Sequence, residues 1–130
     1  MRMLYYRVER ILEACCKTVN LPRSRVEFSV NIFSPATMRK LNKTHRGKDK
    51  ATDVLSFPLL TRGEVSTLKK KRGILAIGDI FINRLDAKKR LPFLVVHGFL
   101  HLMGYDHERS KHAEKIMFSL QDEIISHLRD

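Results

Sequence analysis

Leu91-Pro92-Phe93-Leu94-Val95-Val96-His97-Gly98-Phe99-Leu100-His101-Leu102-Met103-Gly104 is the most apolar stretch of the chain. Pro92 suits the first turn of a helix, where a missing N–H costs nothing, and Gly104 suits the residue just past a helix end. Two adjacent valines would also fit a strand, but the length and the end signals predict a helix. Because the stretch is apolar on nearly every face, that helix should be central and buried. Only His97 and His101 interrupt it with polar groups. Four residues apart, they project from the same helical face.

Working outward, Asn83 to Arg90 is read as a separate short helix, and Gly73 to Ile82 as a strand. Residues 60–72 form a basic excursion expected to be mobile. Val54-Leu55-Ser56-Phe57-Pro58 is a short strand closed by proline, and the polar, basic residues 43–52 are expected to form a loop. Ser34-Pro35 reads as an N-cap and first helical position, opening a helix through about Leu41. Val26, Phe28, Val30 and Ile32 alternate with polar residues, the pattern of a half-buried strand. Leu4, Val8, Ile11, Leu12, Cys15 and Val19 mark one face of an amphipathic helix that Asn20 and Pro22 end. Downstream, Ser110 can cap a last helix with Ala113, Ile116, Met117, Leu120, Ile124 and Leu128 on its apolar stripe. With no repeat, low-complexity tract or linker, residues 1–130 are expected to form a single compact α+β domain. A small mixed sheet would pack against helices, with a buried central helix carrying the histidines.

The composition agrees with a globular chain of 130 residues, 43% hydrophobic and 30% charged. No apolar run approaches the roughly 20 residues that span a bilayer, so no membrane partner is expected. The first residues lack a signal-peptide core, which leads us to expect a soluble, cytoplasmic protein. Adjacent Cys15 and Cys16 are poorly placed for a crosslink and read as packing thiols. The formal net charge of +11 attracts polyanions, above all nucleic acid. Basic residues cluster at Lys43 to Lys50, Lys69-Lys70-Lys71-Arg72 and Lys88-Lys89-Arg90.

The histidines carry the chemistry. After Gly104 the chain can turn and bring His107 back, giving H-x3-H-x5-H, the spacing of the metzincin zinc motif. Three neutral imidazoles would hold one zinc per chain and leave a fourth position open for water, the mark of a catalytic site. Imidazoles also suit nickel, copper and iron. Where zinc proteases place a glutamate as general base, directly after the first histidine, this chain has Gly98. Peptide hydrolysis by that route is unsupported, and Gly98 is expected to permit close approach of substrate or backbone to the metal. Asp106 and Glu108 flank His107; either orients a ligand imidazole or simply faces solvent. His112 and His127 fall on a polar helix face, and His45 lies in the basic segment, where it touches RNA or nothing.

The run His97-Gly98-Phe99-Leu100-His101-Leu102-Met103-Gly104-Tyr105-Asp106-His107 resembles the H-G-x-L-H-L-x-G-Y-D-H signature of the YbeY family of ribosomal RNA maturation factors. A second block from Arg46 to Pro58 is similar to that family's R-x-x-x-x-x-T-D-V-L-S-F-P segment, and Gly78-Asp79-Ile80 to its G-D-I strand. The connection from Ile82 to His97 is shorter than the family's usual one. The resemblance implies a zinc-dependent, single-strand-specific endoribonuclease acting in 16S rRNA 3′-end maturation and ribosome quality control. Its partner would be RNA, rRNA or the small ribosomal subunit. It also implies a central four-stranded sheet, a metal in a basic cleft and a functional arginine at Arg46. A guanidinium there could grip a phosphate by its fork and stabilise developing charge; it could equally serve docking, or pair with Asp49 or Asp53. Ser56 is a candidate hydrogen-bonding group in the cleft, and no general base is identified. Two rivals remain: a non-catalytic, zinc-containing ribosome-associated RNA-binding factor, and a metal-dependent hydrolase of another substrate, which Gly98 and the basic charge weaken.

Overall fold

The computed structural model describes residues 2–128, with side chains from Arg7 onward. The elements are α1 (Arg2–Thr18), β1 (Val26–Phe33), α2 (Pro35–Arg46), β2 (Val54–Pro58), α3 (Arg62–Ser66), β3 (Leu75–Asn83), α4 (Arg84–Leu102) and α5 (Lys111–Leu128). Single 3-10 turns lie at Arg23–Arg25 and Leu68–Lys70. The α+β domain is as expected: one small mixed sheet, with its helices packed around it. In the order β1-β3-β2, β1 runs parallel to β3 and β2 antiparallel to it.

Among the described residues the sheet has three strands, not the four that the family resemblance implied. Between β2 and β3 the chain has no period-2 apolar pattern to pair on a sheet edge. It coils instead. Thr61 and Glu64 close a capping box over α3, and Leu68 is 2% exposed in the core. The excursion expected to be mobile is therefore folded and anchored, with Lys69, Lys70 and Arg72 exposed on it.

α4 lies against the sheet. Leu91, Leu94, Val95, Val96, Phe99, Leu100 and Leu102 are all buried, so the central, buried helix is confirmed. The two helices expected over 83–104 are both present, end to end within α4, and meet at a non-helical residue, Arg90 (φ −122°, ψ 16°), just before Pro92. Pro92, with no N–H for the preceding turn, still opens the second segment. A Cβ on Gly98 would sit 2.8 Å from the Ile80 side chain of β3. Gly98 therefore serves close helix–sheet packing, which corrects the expectation that it opens an approach to the metal.

α1 contributes Ile11, Leu12, Cys15 and Cys16 to the same core, with Val8 and Val19 packed against it. Leu4, placed on this stripe by its spacing, lies outside the described side chains. Both cysteines are free and buried, as packing thiols should be; burial pushes the Cys16 thiol up to about 11. α5 packs on α1 and α4 through Met117 and Ile124. Its stripe departs from the expected one: Ile116 is exposed, and the buried row includes a polar residue, Gln121. No helix among the described residues is long and apolar enough to cross a membrane.

Candidate metal centre

The burial of α4 fixes the histidine positions. With its apolar faces engaged on β3, β2, α1 and α5, the last two turns present His97 and His101 on one side. The helix then stops. Gly104 takes a positive φ of 89°, its N–H donates to the His101 carbonyl, and the Tyr105 N–H donates to the Leu100 carbonyl. A residue with a Cβ would be strained there. In the returning turn the Glu108 N–H donates to the Asp106 carboxylate, and His107 arrives beside the other two. Ring centroids are 4.7 Å apart for His97–His101, 5.2 Å for His97–His107 and 5.3 Å for His101–His107. Each ring offers a nitrogen, and these nitrogens all lie within 4.8 Å of one another.

The donors fit a transition-metal ion. The Nε2 atoms of His97 and His101 are 3.2 Å apart. Two nitrogens on one tetrahedral zinc at 2.0–2.1 Å would be separated by about 3.3–3.4 Å. Burial, followed by the neighbouring His97 and His107, pushes the His101 pKa down to about 4. His97 is also lowered, chiefly by burial and against the opposing effect of its bond to Gln121. Both rings are thus neutral near pH 7, the form that binds metal. Nδ1 of His107 is buried without a hydrogen-bond partner. An orphaned polar atom of that kind is rare in a native protein and marks a position where a further atom belongs.

The flanking carboxylates do not orient the rings. Glu108 Oε1 is 3.9 Å from His107 Nε2 and its side chain is 75% exposed, beyond hydrogen-bond reach. Asp106 accepts from the Glu108 backbone instead. Among the described residues the polar side chain that reaches the cluster from outside it is Gln121, whose Oε1 is 3.2 Å from His97 Nδ1. Sequence reading passed over it, although a glutamine one turn from both Met117 and Ile124 breaks an otherwise apolar stripe.

The cluster forms one wall of an open cleft of about 730 Å³. His45, Arg46, Phe57 and Pro58 line it as well. Arg46 is the last residue of α2, closed by Gly47 at φ 69°, so the helix runs past its expected end near Leu41 and the loop begins only at Gly47. Lys43, His45 and Arg46 suit that last turn because cations are favoured at a helix C-terminus. Neither of the ion pairs open to Arg46 forms. Asp49 takes a two-pronged contact from Arg39 at 2.7 and 3.2 Å, and Asp53 pairs with Arg90 at 3.0 Å. Among the described residues Arg46 makes no ion pair and stays exposed at the cleft. His45 stands edge-on to Phe57, with centroids 4.9 Å apart. Ser56 Oγ reaches 3.4 Å to the Gly98 carbonyl, a link between strand and helix. His112 and His127 are exposed and apart from the cluster, as expected.

Comparison with known proteins places this arrangement in a lineage. The family model described as Endoribonuclease YbeY matches residues 2–129. The chain is 41% identical to the Endoribonuclease YbeY of Persephonella marina, over 94% of this chain and 79% of that one. Its identity to the protein of the same name from Lysinibacillus sphaericus is 38%, over 91% and 82%. The solution structure of a Thermotoga maritima protein superposes with a TM-score of 0.54 at 25% identity, covering 98% of this chain and 85% of that one. With the match running from α1 to the end of α5 and across the whole histidine motif, the chain belongs to the YbeY endoribonuclease family.

Proposed function

We propose that this protein is a zinc-dependent endoribonuclease that cuts single-stranded RNA, acting on the 3′ end of 16S rRNA and in ribosome quality control in the cytoplasm. Residues 1–130 would work as one functional domain. The observation that carries the reading is the sharing of one cleft by three converging histidines and an arginine that, among the described residues, makes no ion pair. The basic excess of the chain supplies attraction for a phosphodiester backbone.

In this reading His97, His101 and His107 hold the metal. Zinc held there would supply Lewis acidity, toward either a water or a phosphoryl oxygen. Arg46 grips the scissile phosphate through two parallel N–H donors and opposes the negative charge that builds on it. The two carboxylates nearest it in the following loop, Asp49 and Asp53, pair with Arg39 and Arg90 instead, which leaves the fork open.

One observation favours the rival of a non-catalytic RNA-binding factor: Gly98 stands where zinc proteases carry the glutamate that serves as general base. Zinc-loaded protein incubated with single-stranded RNA, beside His101→Ala, separates the two. Cleavage by the former and none by the latter supports the enzyme. Binding without cleavage by the zinc-loaded protein supports the rival, and equal cleavage by both would expose a contaminating nuclease.

A further inference from the structure

Gln121 is 5% exposed and sits between Met117 and Ile124 on the face that α5 turns to the core. An apolar residue would fill that position without bringing a polar group out of water, so the amide needs a reason to be there. Its Oε1 lies 3.2 Å from His97 Nδ1. The other nitrogen of the same ring, Nε2, faces His101 Nε2 at 3.2 Å, on the side where the three rings converge. The ring is therefore held at both ends: one nitrogen at an amide, the other at the centre of the cluster.

A neutral imidazole has one N–H and one lone pair, and an amide oxygen can only accept. A nitrogen facing that oxygen carries the proton, which leaves the opposite nitrogen free to bind a metal. We propose that Gln121 is a positioning residue: it holds His97 in the Nδ1–H tautomer and presents the Nε2 lone pair to the metal. The usual carboxylate of such an arrangement is replaced here by a neutral amide, reached from a separate helix. Docking of α5 onto α4 thereby becomes a condition for a competent centre. The inference rests on the metal reading above.

Two measurements on Gln121→Leu and Gln121→Glu test it, with thermal unfolding to confirm that each variant is folded. Leucine fills the buried position without an acceptor; glutamate restores one. In the metal-free proteins, long-range proton–nitrogen NMR correlation of the His97 ring reads the tautomer. The wild type should show Nδ1–H, and Gln121→Leu should lose that preference. Competition with a chromophoric chelator then reads zinc affinity, which should fall about 10–100-fold in Gln121→Leu and return to within a few-fold in Gln121→Glu. An Nε2–H tautomer in the wild type would mean that the amide donates to the ring and would overturn the proposal. Unchanged zinc affinity in a folded Gln121→Leu would overturn it too. If the wild type itself binds no zinc, the metal reading falls and takes the metal-presenting role with it; the tautomer still decides the Gln121 contact.

Discussion

The two walls of the cleft are held in different ways. On one, His97 and His101 project from a helix whose remaining faces are packed against sheet and helices, and His107 returns on a turn that Gly104 makes possible. His97 is tethered further by Gln121. On the other, His45 and Arg46 end α2 as exposed side chains, and what fixes that wall lies in the backbone behind them. Asn42 donates to the Lys50 carbonyl, Asn83 donates to the Thr52 carbonyl, and Arg39 clamps Asp49. The first wall is suited to presenting donors at set distances. The second offers exposed side chains that reach into the cleft without being packed in place. Positional precision and reach are thus divided between a buried helix and the exposed, glycine-capped end of another.

Arg46→Ala probes the second wall and should have the larger effect on catalysis. Loss of a donor that acts mainly in the transition state costs on the order of 10²–10³ in rate. Single-turnover cleavage should fall by that factor while zinc content and most RNA affinity are kept. Arg46→Lys should not rescue, because the planar fork matters more than the charge. Binding and cleavage that fall together, and return together with lysine, would make Arg46 a docking residue and erase the division of labour.

Gly98→Ala probes the first wall. The added methyl meets Ile80 at 2.8 Å, so α4 must lift from β3 or the isoleucine must turn. Overpacking of this kind costs about 1–3 kcal/mol. We expect a lowered urea midpoint together with weakened zinc binding, because the same helix carries two of the three donors. A stability loss with zinc affinity untouched would show that the histidine geometry does not depend on how α4 seats on the sheet.

How far the sequence could be read follows the same division. The apolar run with its terminal proline and glycine predicts α4, and histidine spacing predicts the cluster, because both depend on local periodicity. The extension of α2 to Arg46 was hidden: residues 43–46 carry no apolar repeat, and the helix continues on dipole and capping terms too small to leave a pattern. The folded state of residues 61–70 depends on one capping box and one buried leucine. Gly98 and Gln121 were misread or missed for a common reason. Each acts through a partner distant in sequence, Ile80 in one case and His97 in the other, and composition does not announce such pairs.

The most direct test of the whole account is a zinc titration of chelator-stripped protein, with single-stranded RNA cleavage measured at each addition. The rate should rise in proportion to bound zinc and level off at about one zinc per chain, and His107→Ala should show neither binding nor cleavage in the same range. Full cleavage by the stripped protein, or full zinc occupancy in His107→Ala, would contradict it.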